Sequence, residues 1–225
     1  AVQPEATVFE RANRSGVECL SVGPSAYAHS GLTRAAFRGA DYTDAENIQQ
    51  RAEAISHAGQ GRQLIYVYWP DLDRAGHEYG VDSNEWRAAA SNVDELIDAL
   101  RSALPSKGRL IVTADHGMQT VVERLWMEDD HRLMMDVDAV AGEPRARFLY
   151  TTQIDDVANR WATVLGERAR VLTRHEAVGE GLFGDVHPDM IDRIGDLVVL
   201  PSPGVIVASR SFDPLLSSLA GQHGG

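Results

Sequence analysis

Tyr66-Val67-Tyr68-Trp69-Pro70-Asp71-Leu72-Asp73-Arg74-Ala75-Gly76-His77-Glu78-Tyr79-Gly80 is the stretch whose reading decides the rest of the chain. An apolar run, Leu64 to Trp69, stops at Pro70, and Asp73 and His77 then appear four residues apart. A carboxylate and an imidazole at that spacing share one face of a turn and can grip one metal ion. Two further segments carry the same residue types. Thr113-Ala114-Asp115-His116-Gly117-Met118 is a second Asp/His pair at the end of a second apolar run, and Gln222-His223-Gly224-Gly225 sets a histidine among glycines. The chain reads as a scaffold that brings these three places together.

The 225 residues suit one large domain or two small ones and suffice to bury a real core. With 21 Lys and Arg against 33 Asp and Glu, the formal net charge is -12 and no basic patch stands out, which argues against a nucleic-acid duplex as partner. An acidic chain can still take an anionic substrate, because bound metal ions dominate the local field. Cys19 is the single cysteine, so no intrachain disulfide forms, which fits a reducing, cytoplasmic compartment without requiring one. No apolar run approaches the roughly 18 residues of a membrane span. No signal-peptide pattern opens the chain. Ala1 stands where an initiator methionine would, and Gly225 follows His223 by two residues, so both ends are expected to be cut.

Residues 6–15 predict a helix with Val8, Phe9 and Ala12 on one face, closed by Gly16, and Val17 to Val22 a short strand. Pro24 to Arg38 reads as a loop. Thr43-Asp44-Ala45-Glu46 has the form of a capping box opening a helix to about His57, stopped by Gly59-Gln60-Gly61. Gln63 to Tyr68 is a strand whose near-continuous apolar character predicts burial on both faces. Behind Asp82 and Glu85, the residues Trp86, Ala89, Val93, Leu96, Ile97, Leu100 and Leu104 recur at helical spacing until Pro105 and Gly108. Arg109 to Thr113 reads as a buried strand. Both Asp/His pairs then lie just past strand C-termini, the edge where open α/β sheets bind ligands. Residues 119–142 look less regular. Arg145 to Thr151 reads as a strand, Ile154 to Arg168 as an amphipathic helix, and Val171-Leu172 as a short strand. Asp196 to Leu200 and Val205 to Ala208 read as two strands able to pair as a hairpin.

The candidate ligands are Asp73, His77, Asp115, His116 and His223. Oxygen and nitrogen donors without a thiolate suit zinc, and less well manganese or iron. One metal site cannot easily use all of them and keep an open position, whereas two can. Two metals about 3.5–4 Å apart form the clamp used for in-line attack at phosphorus. An Asp/His pair at this spacing is common on any helix, so the joint occurrence of the three segments carries the inference. Glu128-Asp129-Asp130-His131 could bind a cation, but a solvated loop is the simpler reading. Tyr68, Trp69 and Tyr79 could stack on a base, but packing is the simpler role for each. His187, before Pro188, has no assigned role.

The segments 70–80, 113–118 and Gly221-Gln222-His223-Gly224-Gly225, taken with Gly142-Glu143-Pro144-Arg145-Ala146 and Arg193-Ile194-Gly195-Asp196, resemble the nucleotide pyrophosphatase/phosphodiesterase family of the alkaline phosphatase superfamily. The last two segments are similar to those of bacterial members. The resemblance implies an α/β fold, an alkaline-phosphatase-like mixed sheet flanked by helices on both faces and incomplete at the N-terminal side. The whole chain, 1–225, would be the C-terminal portion of one catalytic domain. The resemblance further implies two zinc ions, the first held by Asp73, His77 and His223, the second by Asp115 and His116 with another Asp. Asp73 is taken over Asp71 because the family's pair has the four-residue spacing to His77. The implied activity is hydrolysis of phosphodiester or pyrophosphate bonds in a small nucleotide substrate, by a Thr or Ser nucleophile expected upstream of Ala1. Thr33 lies too close to Asp73 for the family's layout, so no catalytic nucleophile is assigned in this chain. The same ligands would serve another superfamily hydrolase (a phosphomonoesterase, a phosphonate hydrolase or a sulfatase-like enzyme) or a non-catalytic metal-binding fragment.

Overall fold

In chain order the elements are α1 (Val8–Arg14), β1 (Glu18–Gly23), α2 (Gly31–Ala36), β2 (Asp41–Asp44), α3 (Ile48–Ser56), β3 (Gln63–Val67), α4 (Asp71–Tyr79), α5 (Asn84–Ala103), β4 (Gln119–Thr120), β5 (Glu123–Trp126), β6 (Ala139–Glu143), β7 (Ala146–Tyr150), α6 (Ile154–Leu165), β8 (Ala169–Thr173), α7 (Arg174–Gly179), β9 (Leu197–Pro201), β10 (Val205–Ala208), α8 (Pro214–Ser218) and β11 (Gly221–Gln222). They are seen in a computed structural model that describes residues 3–57 and 61–224. The Gly59-Gln60 part of the expected helix stop lies outside the described residues. Helices combine with parallel and antiparallel ladders, the mixed α/β class that the sequence predicts. Among the described residues no helix is long and apolar enough to cross a membrane. The chain divides into two compact units, residues 1–72 with 87–113, and residues 73–86 with 114–225.

The first unit is built on a parallel sheet of order β2-β1-β3. Thr7 caps α1, its side chain accepting from the Glu10 N–H while Glu10 reaches back to the Thr7 N–H. Phe9 of α1 is buried, but Val8 is 53% exposed, so the predicted apolar face is narrower than the sequence suggests. Ile55 of α3 and Leu96 and Leu100 of α5 form a core against which Ile65, Val67 and Trp69 pack. Buried Arg51 donates to the carbonyls of Tyr68 and Asn47 and lies 4.5 Å from the Trp69 ring centroid, which pins the chain as it leaves β3.

Four sequence expectations fail in this unit. Residues 31–36, expected as loop, form α2, because Ser30 caps the helix by accepting from the Thr33 N–H. Thr43 and Asp44 end strand β2 and do not cap α3; Asn47 does, accepting from the Gln50 N–H. Strand β3 is not buried on both faces: Leu64 and Tyr66 are 38% and 39% exposed, whereas Ile65 and Val67 face the helical core. Arg109–Thr113 forms no strand, and Ile111 and Val112 are 86% and 59% exposed. A strand exists only through its ladder, and no described strand pairs with this run.

The second unit centres on an antiparallel sheet of order β6-β7-β9-β8. Side-chain alternation sends Leu149, Leu197 and Val199 into one core, with Trp161, Val157 and Leu165 of α6. Phe148 and Val198 go to the other, with Ala177 of α7. This sheet therefore carries a helix on each face. The Trp161 indole N–H is satisfied by the Leu133 carbonyl at 2.9 Å. The expected hairpin between residues 196–200 and 205–208 does not form. β9 pairs with β7 and β8, whereas β10 runs parallel to β5, in the region expected to be irregular.

The acidic segment 128–131 is not a free loop: its carboxylates bond within the fold, although Glu128 Oε2 is buried with no hydrogen-bond partner among the described residues. Glu128 Oε1 accepts from the Ser209 hydroxyl at 2.7 Å and from the Arg210 and Ser211 N–H groups at 2.9 and 3.1 Å. Asp129 pairs with Arg210, and Asp130 with Arg132. Burial pushes the Glu128 carboxyl up, but the Ser209 hydroxyl and the backbone donors outweigh it and hold it below its ordinary value of 4.5. The unfolded chain thus takes the proton first as pH falls. The contribution of Glu128 to stability is complete above about pH 4.5 and is lost as pH drops through the lowered folded value. Glu128→Gln should flatten the loss of melting temperature below pH 4.5; an acid limb identical to that of the parent would assign the loss to other carboxylates.

Candidate metal centre

All of the candidate ligands lie in the second unit. Asp73 and His77 sit one turn apart on α4, whose middle is thinned by the buried Gly76. A Cβ there would lie 3.2 Å from Met118 atoms, so glycine lets the segment after His116 come close. Strand β11 docks against the same helix. The Ala220 N–H donates to the His77 carbonyl at 2.8 Å, and His77 Nδ1 lies 2.9 Å from the Gly221 carbonyl. A carbonyl can only accept, so Nδ1 carries the proton and Nε2 is left as the lone-pair nitrogen. That Nε2 is 3.6 Å from Asp73 Oδ1.

His116 follows the same rule. Its Nδ1 faces the Gly117 carbonyl at 3.0 Å, and its Nε2 lies 3.9 Å from Asp73 Oδ1 and 3.6 Å from Asp115 Oδ1. The His223 ring stacks on that of His116 with centroids 3.8 Å apart, and its Nδ1 is 3.9 Å from Glu143 Oε2. Burial, and next the neighbouring His116, lower the His223 pKa, against the opposing pull of Glu143. The shift favours the neutral imidazole that a metal needs.

Asp73, His77 and His223 each offer a donor atom within 4.8 Å of the others. His116 stands beside this triad, and Asp115 is the outlier, its side chain 79% exposed and directed only to His116. Asp73 Oδ1 is buried and accepts no hydrogen bond among the described residues. An orphaned carboxylate oxygen is costly in a fold, and here imidazoles surround it. A divalent cation among these donors would remove the cost, so the residues fit a metal. Asp115 and His116 follow a run that forms no strand, which corrects the expectation that both pairs lie at strand ends.

Sequence reasoning assigns no role to Gly221, Glu143 or Arg145, although Gly142–Ala146 is among the segments that carry the family resemblance. Trp69 is a packing residue, as the simpler reading had it. His187 accepts from the Asp189 N–H and caps the turn that follows. Gly221 is a steric requirement: a Cβ there would collide with the Gly76 carbonyl. Gly221→Ala should push β11 from α4 and lower zinc affinity by roughly 10–100-fold, the scale for disturbed supporting contacts at metal sites. A zinc titration giving the parent affinity would show that the docking is not needed.

A model of the type I phosphodiesterase/nucleotide pyrophosphatase family matches residues 5–225. The chain belongs to that family. It is 38% identical over 66 residues to human ectonucleotide pyrophosphatase/phosphodiesterase family member 7, covering 27% of this chain and 14% of the relative. It is 37% identical over 114 residues to human family member 5, covering 44% of this chain and 24% of the relative. Among solved structures, an inactive variant of murine ectonucleotide pyrophosphatase/phosphodiesterase 5 in complex with AMP superposes with a TM-score of 0.74 at 21% identity, covering 99% of this chain and 60% of that one. Phosphonoacetate hydrolase from Sinorhizobium meliloti in complex with phosphonoformate gives 0.68 at 17% identity, covering 98% and 65%. The chain thus shares the alkaline-phosphatase-like fold of these proteins while spanning under two thirds of their length.

Proposed function

We propose that this chain is the C-terminal portion of one catalytic domain that hydrolyses phosphodiester or pyrophosphate bonds in nucleotides with bound metal. The observation that carries the reading is the convergence of Asp73, His77 and His223 on a buried, unbonded carboxylate oxygen in a chain of this family. In the proposal Asp73, His77 and His223 hold one zinc ion, and Asp115 and His116 contribute to a second; manganese or iron would suit the donors less well. Bound there, such ions supply Lewis-acid stabilisation of charge developing on phosphate oxygens. The chain's own part is orientation: the Nδ1–H bonds of His77 and His116 to carbonyls fix both rings with Nε2 toward the carboxylates.

The attacking Thr or Ser is proposed to lie upstream of Ala1. Thr33 Oγ1 accepts from the Ser30 hydroxyl at 3.1 Å inside the capped turn of α2, a structural role. These 225 residues are expected to retain one zinc ion more tightly than a second, having three ligands for one and two for the other, and not to turn over phosphodiesters. Metal analysis after dialysis checks the first statement, and clear turnover by this chain would overturn the second. For the longer protein, the neighbour bound to AMP makes a nitrophenyl ester of a nucleoside monophosphate the natural probe. It should be cleaved faster than nitrophenyl phosphate or phosphonoacetate. Faster phosphonoacetate turnover would favour the phosphonate hydrolase reading, which the second solved neighbour makes the nearest rival.

A further inference from the structure

We infer that Arg145 is a positioning residue for His223, a buried guanidinium that fixes the segment carrying the third ligand. The inference rests on the metal-centre reading above and adds to it a residue with no place among the ligands. Arg145 is 3% exposed. Its Nε donates to the Gly224 carbonyl at 2.7 Å, and its Nη1 to the carbonyls of Ser202 and Val205 at 3.2 and 3.0 Å. None of these partners is a carboxylate. Arg147, two residues on, shows the ordinary arrangement, with Asp213 as its counter-ion.

A buried charge without a counter-ion is destabilising, so the fold should hold one only where its hydrogen bonds are needed. The bonds of Arg145 join the turn before β10 to the residue after His223. That tether matters because, among the described residues, the backbone bonds of the segment to α4 and β4 all lie before His223. The ladder of β11 on β4 consists of Gly221 and Gln222 and ends one residue before His223. Gln222 is anchored through its amide to the Leu216 carbonyl. His223 is therefore bracketed by β11 before it and by the Arg145 bond after it. Gly224 has a φ of 91°, a left-handed conformation that turns its carbonyl to the guanidinium and that other residues adopt with strain. The planar fork reaches two segments at once, which a lysine ammonium does not do. Glu143, the last residue of β6 and two residues before Arg145, approaches the His223 ring from its Nδ1 side.

The test is a double-mutant cycle with a metal-free readout. In Arg145→Met, zinc affinity measured by competition with a chromophoric chelator should fall about 10–100-fold. Arg145→Lys should recover part of the loss. In a His223→Ala background, Arg145→Met should lower affinity no further; a loss equal to that in the parent would mean general destabilisation and overturn the inference. Independently of metal, the His223 imidazole signals in ¹H–¹⁵N spectra should shift or broaden in Arg145→Met. They should hold their position in Arg147→Met, a variant expected to be at least as destabilised. Unchanged His223 signals in Arg145→Met would overturn the inference whether or not zinc binds. If Arg145→Met does not fold, the same readings on Arg145→Lys decide. Moved His223 signals in a chain that never binds zinc would leave the clamp standing and remove the metal-centre reading instead.

Discussion

Asp73→Asn should reduce zinc affinity by roughly 100-fold or more. A four-ligand zinc site yields about 10–16 kcal/mol, so one anionic ligand accounts for about 3 kcal/mol of it. The structure gives this variant a second, opposite signature. Asp73 Oδ1 is buried with no hydrogen bond among the described residues, and an unpaired carboxylate oxygen destabilises the metal-free fold. Measured at pH 8 without metal, the variant should melt at the same temperature as the parent or higher; with zinc it should melt lower. A purely structural Asp/His pair predicts a loss in both conditions. Zinc affinity within a few-fold of the parent would remove Asp73 from the ligand set, and with it the choice of Asp73 over Asp71.

Arg147→Met should destabilise the second unit by about 3–5 kcal/mol, the scale for stripping one partner from a buried ion pair. Arg147 is 1% exposed and meets Asp213 through two bonds of 2.5 and 2.9 Å, while its Nε satisfies the Val207 carbonyl at 2.9 Å. Asp213 also accepts from Ser217 inside α8, so the pair ties β7 to the segment leading into β11. Removing the guanidinium leaves a shielded carboxylate and an orphaned carbonyl. The double variant Arg147→Met with Asp213→Leu should recover much of the loss, because the stranded charge goes with it. Urea unfolding of the single and double variants measures this, and additive losses would show that the two residues act separately.

Much of the fold was legible because it is local. The spacing of Trp86, Ala89, Leu96 and Leu100 defines one apolar stripe, and α5 follows from it. The short strand-forming runs 146–150 and 197–201 likewise form strands where the sequence reading places them. Most of the failures depend on a partner far away in the chain; α2 is the exception, because its Ser30 cap is local. Val205–Ala208 looks like the second arm of a hairpin, yet its ladder is with Glu123–Trp126. Ile111 and Val112 look like core, yet no described strand pairs with them. Thr43 looks like a cap, yet it belongs to β2, and the chain direction that makes a residue a cap is first right at Asn47. β-propensity registers which residues suit a pleated surface, not which surface they will meet.

The same division runs through the metal centre. The sequence by itself determined the donor types and the helical spacing that puts Asp73 and His77 on one face of α4, because a covalent interval of four residues fixes that geometry once the helix forms. The resemblance implies that His223 joins them; only the tertiary structure brings its donor within reach of theirs and leaves Asp115 outside that group. The tertiary structure also left Asp73 Oδ1 buried with no hydrogen bond among the described residues, and it set Arg145 beside Gly224. Those outcomes depend on β11 packing against Gly76 and on a buried guanidinium reaching the residue after the ligand. Contacts between residues so far apart in the chain are set by close packing of backbone on backbone, which no local pattern encodes.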